Sequence, residues 1–191
     1  MLIPLKTLMR EFEEDESGLQ SVLSSFSCPL DPDIQHFLHR TAVKFEMRSK
    51  SRTYLLFDED AMAEGRLFIL GYFSLALKVL KIPGGLNTNQ RKKLDGYSAN
   101  FHGQKITEIV CYLIGQLARN ADSPKECLSG AKLIDYAQGI IQNANEAVGG
   151  RYMMIECKDD EKLKRFYQRN GFQEFQIDDF DHAVQMICKI A

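Results

Sequence analysis

The order of apolar and amphipathic segments in the second half of the chain constrains its fold most strongly. From residue 106, the apolar run ITEIVCYLIGQLARN precedes a polar loop and an amphipathic helical segment. The strand-like run RYMMIEC, a charged helical segment and the runs FQEFQI and AVQMICKI then follow. Strands that alternate with helices predict a mixed sheet with helices packed on its faces.

Glycine and aspartate mark the ends of both predicted helices in this half. Asp159 or Asp160 is expected to cap the second helix, and Gly171 is placed to end it. Gly149 and Gly150 are placed to end the first helix. The apolar stripe of that first helix consists of Leu133, Ala137, Ile140, Ile141 and Ala144.

The second helix carries a tyrosine on its apolar stripe. Leu163, Phe166, Tyr167 and Asn170 are spaced i, i+3, i+4 and i+7, so they share one helical face. This pattern fits a short amphipathic helix with a tyrosine buried in the core. It also fits a tyrosine directed into an active site, and the spacing alone leaves both interpretations open.

The first half predicts an edge strand, two helices and two further strands. MLIPLKTLM is expected at a sheet edge, where Pro4 is tolerated. DESGLQSVLSSF and LDPDIQHFLHRTAVKFEMRSK predict helices, the second with Asp31 as cap and Pro32 in its first turn. RTYLLF and RLFILGYFSLALKVL predict strands. Residues 82–105 are polar and glycine-rich and predict a long loop or insertion within a single domain of residues 1–191.

Composition excludes several function classes. A net charge of -2 gives no overall attraction to nucleic acid or membranes, although it neither supports nor excludes a local basic patch. No apolar run approaches the roughly 18 residues of a membrane-spanning helix, and the first residues do not follow the pattern of a signal peptide. The five cysteines are scattered without a CxxC pair, which favours reduced thiols, and we expect a cytoplasmic protein. His36 and His39 lie at i, i+3 without a further metal-ligating residue, so no metal site is predicted.

The loop KECLSGAKL precedes the first helix of the second half and is a candidate anion site. The free N–H groups and the dipole of a helix N-terminus attract negative charge. Ser129, Gly130 and Ala131 are small enough for a phosphate to approach the backbone, and Lys125 can add positive charge. A helix cap without a ligand explains the same residues equally well.

Two segments of this half resemble the GNAT superfamily of acetyl-coenzyme A-dependent N-acetyltransferases. YLIGQLARN through KECLSGAKLI is similar to the family's strand, phosphate-binding loop and helix start. RYMMIECKDDEKLKRFYQRNGF is similar to its strand, turn and helix ending in Phe-Tyr-x-x-x-Gly-Phe. The resemblance spans about residues 106–175. It implies a mixed, mostly antiparallel central sheet flanked by helices and splayed between its two central strands.

The resemblance implies that acetyl-coenzyme A is the cofactor, and it implies a set of binding positions. The backbone at the end of the apolar strand would bind the pantetheine arm, and the loop would bind the pyrophosphate. The implied residues are Leu117, Ala118, Arg119, Lys125, Glu126, Cys127, Leu128, Ser129, Gly130 and Ala131. Leu128 departs from the family pattern because it occupies the position of the first loop glycine, which puts the shape of the loop in doubt.

The resemblance also implies the catalytic groups. Tyr167 takes the position of the family's general acid, which protonates the leaving thiolate. A phenol with a pKa of about 10 and a thiol with a pKa near 8.5 are close enough for proton transfer. Glu108 and Glu156 lie on strands that flank the family's cofactor cleft, and either could accept the proton of the amine. A surface or ion-paired glutamate explains each position as well.

The first half is similar to the toxin-like branch of the superfamily. The similarity is carried by PDIQHFLHRTAVKFEMRSKSRTYLLFDED, a helix with basic residues at its end and then a strand, followed by ILGYFSLAL. It implies an alternative acceptor, aminoacyl-tRNA, and raises an antitoxin and a second copy of the chain as partners. Arg40, Lys44 and Arg48 could form a patch for tRNA, or they could simply be favourable cations near a helix C-terminus. A non-catalytic interaction protein that kept the fold is the rival class.

Overall fold

The computed structural model describes residues 1–190, and Ala191 lies outside them. Its main sheet has seven strands in the order β1-β2-β3-β6-β7-β9-β8, and β4 and β5 form a separate hairpin. The strands are β1 (Leu2–Pro4), β2 (Arg52–Phe57), β3 (Ile69–Lys81), β4 (Asn100–Phe101), β5 (Gln104–Lys105), β6 (Glu108–Arg119), β7 (Tyr152–Cys157), β8 (Gln173–Ile177) and β9 (Val184–Lys189). The α-helices are α1 (Leu5–Glu11), α2 (Glu16–Ser24), α3 (Pro32–His36), α4 (Ala42–Met47), α5 (Glu59–Ala63), α6 (Thr88–Asp95), α7 (Gly130–Val148) and α8 (Glu161–Arg169).

Antiparallel pairing dominates the main sheet, as predicted. β2 pairs antiparallel with β1 and with β3, and β9 pairs antiparallel with β7 and with β8. Facing residues such as Leu55 and Tyr72 set the register between β2 and β3. The prediction of a mixed, mostly antiparallel sheet flanked by helices is therefore confirmed.

The first nine residues were predicted to be extended, and this is only partly correct. Strand β1 lies at the sheet edge and ends at Pro4, where a missing N–H is tolerated. Helix α1 begins immediately afterwards, because Leu5 and Leu8 recur at helical spacing and are both buried.

Contacts divide the described chain into two compact units. The first contains residues 1–76 and 114–139, and the second contains residues 77–113 and the chain from residue 140 onward. In the first unit, helices α1 to α4 pack against β2 and β3 around fully buried Leu55, Phe57 and Tyr72. The Tyr72 hydroxyl donates a hydrogen bond to the carbonyl of Ile34 at 2.5 Å, which ties β3 to α3.

The long helix predicted over residues 30–50 is present but interrupted. Asp31 is its N-cap and Pro32 its first residue, as expected. Between α3 and α4, the segment Phe37–Thr41 is a π-helix. A π-helical turn adds one residue to a helical turn and rotates the side chains that follow it, and such turns are frequent at functional sites.

The polar segment 82–105 was predicted to be a long loop or an insertion, and it is not a loop throughout, because it contains a helix and a hairpin. Helix α6 begins with a capping box formed by Asn87 and Gln90. Arg91 is buried and donates to four backbone carbonyls, those of Pro83, Gly84, Leu86 and Ile106. The β4–β5 hairpin follows the helix. Because α6 carries almost no apolar side chains, its polar sequence concealed a helix held by hydrogen bonds.

Helices α7 and α8 begin and end where the sequence predicted. Leu133, Ala137 and Ile141 are buried along α7, and Gly149 and Gly150 follow it with positive φ. Of the two predicted caps of α8, Asp160 is the one used, and it accepts hydrogen bonds from two N–H groups of the first turn. No helix within residues 1–190 is long and apolar enough to cross a membrane, and all five cysteines are unpaired.

Candidate functional site

The end of strand β6 is fixed by a buried asparagine that the sequence analysis did not single out. The Asn120 amide donates to the carbonyl of Ile69 at 2.7 Å, and its side-chain oxygen accepts from the N–H groups of Ser27 and Asp122. Its own N–H donates to the carbonyl of Leu70 at 2.8 Å. These four bonds position the end of β6 and the start of the loop that follows. Asn120 ends the run QLARN, but nothing in that run indicates its distant partners.

Leu128, the residue that departs from the glycine pattern, points into the core of the first unit. Its side chain is 3% exposed. A Cβ placed on Gly71 would lie 2.8 Å from Leu128 Cδ2 and 3.1 Å from Leu133 Cδ1. The absent side chain of Gly71 therefore leaves the space that Leu128 fills. The Leu128 side chain therefore anchors the loop on its buried side and does not occupy its solvent-exposed side.

The first turn of α7 has an open N-terminus. Ser129 caps it, because its hydroxyl accepts from the N–H of Lys132 at 3.1 Å. Within residues 1–190, the N–H groups of Gly130 and Ala131 make no hydrogen bond. This 19-residue helix therefore presents two free donors at its positive end, beside residues too small to block an approaching anion.

The remaining candidate cofactor-binding residues lie at the end of β6 and in the loop before α7. Lys125, Glu126 and Cys127 are exposed, and Ala118 is buried with Leu117 half-buried on β6. Arg119 donates from Nη2 to the carbonyl of Pro124 at 3.3 Å, while its Nε is buried without a partner among residues 1–190. A guanidinium with an unsatisfied N–H close to the loop fits an anionic ligand. The role of the backbone at Leu117 and Arg119 in binding a thioester oxygen stays a prediction.

Tyr167 lies in the second unit, on the inner stripe of α8. Its ring makes edge contacts with Phe166 and Phe172, with centroids 5.1 Å and 6.1 Å apart. Gly171, with a φ of 89°, lets the chain turn so that the Phe172 N–H returns to the Tyr167 carbonyl at 3.1 Å. The Tyr167 hydroxyl makes no hydrogen bond within residues 1–190. The helix thus holds the ring by packing and leaves the hydroxyl available.

Burial sets the acidity of this hydroxyl. Loss of hydration around the phenol raises the pKa of Tyr167 to about 12, and the nearby Cys157 thiol contributes in the same direction. Burial also raises the pKa of Cys157 above its usual value. Both groups therefore keep their protons at neutral pH.

Glu156 is held in an ion pair on the same unit. Lys78 Nζ lies 2.6 Å from each carboxylate oxygen of Glu156, and Gln185 Nε2 donates to Oε1 at 2.8 Å. Gln185 is buried and also donates to Asp178 Oδ2 at 3.0 Å. A carboxylate with a lysine across both oxygens must break that pair before it can accept a proton. The geometry therefore favours a structural role for Glu156 over a catalytic one. Its two partners, Lys78 and Gln185, were not among the residues predicted from the sequence.

Four of the candidate residues are accessible to solvent, unlike the ion-paired Glu156: Glu108, Arg40, Lys44 and Arg48. Glu108, at the start of β6, is exposed, and its carboxylate makes no hydrogen bond or ion pair within residues 1–190. Arg40, Lys44 and Arg48 are also exposed, although the π-helical segment alters the spacing between the first two. His39 Nε2 is bonded to the carbonyl of Phe26 at 2.8 Å, which engages that histidine within the fold.

Comparisons with known proteins identify the fold. Neither a family model nor a curated protein matches the sequence. Solved structures do match, with identities near one residue in five. The AtaT toxin complexed with acetyl-methionyl-tRNAfMet has a TM-score of 0.62 at 21% identity, and the match covers 85% of each chain.

Two further structures show the same likeness. AtaTR bound with acetyl-coenzyme A has a TM-score of 0.62 at 20% identity, over 88% of this chain and 86% of that one. A tyrosine-to-phenylalanine variant of KacT has a TM-score of 0.63 at 20% identity, over 88% and 87%. At these identities the comparison concerns the fold. The strand order, the pairing directions and these matches together show that the chain has the GNAT fold that the toxin structures share.

Proposed function

We propose that the protein is an N-acetyltransferase that moves the acetyl group of acetyl-coenzyme A to a primary amine. The observation that carries the proposal is the open N-terminus of α7, where Gly130 and Ala131 present free N–H groups directly after the loop from β6. The resemblance of this segment to the GNAT phosphate-binding loop supports the same proposal. AtaTR, which shares the fold, has been solved with acetyl-coenzyme A.

In this proposal the loop binds the pyrophosphate of the cofactor. The free N–H groups of the first α7 turn and the Arg119 guanidinium supply donors, and Lys125 adds a positive charge. Leu128 keeps the loop in place through its packing at Gly71. The loss of the family's first loop glycine therefore changes how the loop is anchored and leaves its donors in position.

The chemical step requires a proton for the leaving sulfur. The amine nitrogen forms a bond to the acetyl carbon, the carbon–sulfur bond breaks, and the Tyr167 hydroxyl gives its proton to the thiolate. Burial raises the pKa of the phenol to about 12. The same apolar surroundings disfavour the thiolate and so raise the pKa of the leaving thiol. The difference between the two pKa values is therefore smaller than the shift of the phenol alone would make it. A positioned acid of this kind contributes about 10²–10⁴-fold to the rate.

The proton lost by the amine has a separate route. Glu156 is bound by Lys78 and Gln185, which makes it a poor acceptor, whereas Glu108 is exposed and unpaired. We assign this role to Glu108, directly or through water. An amine whose own pKa is low would be neutral without any base and would react directly.

Aminoacyl-tRNA is the second candidate acceptor. The fold likeness to AtaT complexed with acetyl-methionyl-tRNAfMet favours it, together with the exposed cations Arg40, Lys44 and Arg48. Cations of this kind bind phosphates, which would give such binding a strong salt dependence. AtaT has also been solved with the C-terminus of its antitoxin, so an antitoxin is a candidate partner for this chain. A second copy of the chain stays a further candidate.

The first test is whether coenzyme A stabilises the folded protein. A ligand that binds only the folded state adds about 2.7 kcal/mol at 100 times its dissociation constant. We expect the melting temperature to rise with coenzyme A. The absence of a shift would favour the rival class, a non-catalytic interaction protein with this fold.

The second test is Tyr167→Phe, measured by thiol release with acetyl-coenzyme A and an amine acceptor. We expect a rate loss of about 100-fold or more with unchanged coenzyme A stabilisation, because only one oxygen is removed. The packing against Phe166 and Phe172 remains, and the hydroxyl has no hydrogen bond to lose, so the unfolding free energy should hardly change. A variant that turns over within threefold of the parent would show that Tyr167 is a core residue and that another group is the acid.

A further inference from the structure

A cavity on the second unit is lined by none of the residues to which the proposed function gives a binding or chemical role. It has a volume of about 600 Å³ and lies between α6 and strands β7, β8 and β9. Its apolar lining comes from Leu86, Leu94, Tyr152, Phe175 and Ile187. Ligand-binding pockets commonly measure about 300–1,000 Å³, so the volume is sufficient for a small organic molecule.

Cations lie at the rim of this cavity. Lys93 and Lys189 line it, and both side chains are exposed. The same two lysines also line an adjoining depression of about 570 Å³, together with Lys92 and Arg151. No aspartate or glutamate lines either space. Four cations without a lining carboxylate are complementary to an anionic group, and two of them, Lys93 and Lys189, also line the apolar cavity.

The wall that carries these groups is firmly held. Arg91 fastens α6 to the chain on both sides through its four bonds to backbone carbonyls. Arg151 Nε donates to the carbonyl of Leu94 at 3.1 Å, which ties the end of α6 to the residue before β7. A rigid wall lowers the ordering cost of binding, so the cavity is suited to a ligand and is more than a gap between mobile segments.

We propose that this cavity binds an amphipathic organic anion: an alkyl or aromatic body between α6 and β9, with a carboxylate or phosphate beside Lys93 and Lys189. Segment 82–105 supplies one wall of the site, which gives that segment a function beyond a connection between strands. The site is independent of acetyl transfer, and the inference stands or falls separately from the proposed function.

Decanoate is the probe, tested by isothermal titration calorimetry below its micelle-forming concentration. We expect saturable binding to the parent and at least tenfold weaker binding to Lys93→Glu/Lys189→Glu. The double variant Lys6→Glu/Lys162→Glu changes the net charge equally at exposed lysines away from the cavity lining, and it should bind within twofold of the parent. Decan-1-ol, which has the same chain without the charge, should bind at least tenfold more weakly than decanoate.

A second variant tests the apolar part of the site. Gln173 lies on β8, is exposed, and lines the cavity. The larger side chain in Gln173→Trp should fill the space and abolish decanoate binding. The circular dichroism spectrum should stay unchanged. The inference is overturned by an absence of saturable binding to the parent at about 1 mM decanoate. It is also overturned by equal losses in the two charge variants. Equal binding of parent and Gln173→Trp to phosphatidylglycerol vesicles, with no binding of free decanoate, would assign the lysines to a membrane surface and reject the cavity.

Discussion

Gly71→Ala tests the packing that holds the candidate phosphate-binding loop. The new Cβ would lie 2.8 Å from Leu128 Cδ2, 2.9 Å from the carbonyl oxygen of Ala118 and 3.1 Å from Leu133 Cδ1. Leu128 and Leu133 can shift by rotating, but the Ala118 carbonyl belongs to the backbone of β6 and cannot move freely. The substitution therefore overpacks a site where sheet and loop meet.

The expected cost follows from two opposing effects. Overpacking of a core costs about 1–3 kcal/mol. Replacing glycine reduces the entropy of the unfolded chain and returns about 0.4–1 kcal/mol. The net expectation is a decrease of about 1–2 kcal/mol in the free energy of unfolding, measured by urea denaturation.

A matched control separates the clash from the general effect of removing a glycine. Gly139 lies within α7, and a Cβ placed there meets nothing within 4 Å. Gly139→Ala should increase stability by about 0.5–1 kcal/mol, because alanine is the better helix former. The two variants differ mainly in the contacts of the added methyl group, so opposite signs are expected.

A double-mutant cycle tests the partner of Gly71. Leu128→Ala alone should cost about 2–5 kcal/mol, since it empties a buried site. In Gly71→Ala/Leu128→Ala the new methyl group occupies part of that space, so the combined loss should be smaller than the sum by at least about 0.5 kcal/mol. Additive losses, or a Gly71→Ala variant as stable as the parent beside a normal Gly139→Ala, would refute the packing argument.

Three further predictions concern other parts of the molecule. Arg91→Lys cannot reach four carbonyls at once, so the amides of residues 83–107 should exchange at least tenfold faster in hydrogen-exchange mass spectrometry, while those of α7 stay unchanged. Asn120→Ala removes three side-chain hydrogen bonds and should lower the unfolding free energy by about 2–4 kcal/mol in urea denaturation. Because the folded pKa of Tyr167 is raised to about 12 from 10, its contribution to stability is complete below pH 10 and is lost as the pH rises to 12. An ultraviolet titration of tyrosinate should accordingly show a late step that Tyr167→Phe lacks, and an unchanged titration curve would contradict the burial of that phenol.

The order and limits of most elements could be predicted from the sequence because their signals are local. In α8, Asp160 caps the first turn, the apolar stripe has helical spacing, and Gly171 takes a positive φ at the end. Each of these signals lies within a few residues of the position that it determines. The strands of the main sheet were also recognisable from their apolar residues, whereas the short exposed strands β4 and β5 were not.

The segment 82–105 shows where local signals were insufficient. Helix α6 has few apolar residues, and its place in the fold depends on Arg91 and on Arg151, a residue far along the chain that reaches the carbonyl of Leu94. Hydrogen bonds of this kind depend on which carbonyls the folded chain brings within reach, and sequence spacing does not indicate them. The π-helical turn Phe37–Thr41 was missed for a similar reason, as no local residue pattern marked it.

The sequence by itself indicated which residues are candidates for the proposed chemistry, and the tertiary structure decided which of these candidates are free of other contacts. The resemblance to the GNAT motifs indicated Tyr167, and small residues at a helix start indicated the Gly130 position as a candidate anion site. The engagement of Glu156 by Lys78 and the insertion of Leu128 at Gly71 join residues more than fifty positions apart. Charge pairing and close packing act over a few ångströms in space, and only the folded structure brings such distant positions within that range.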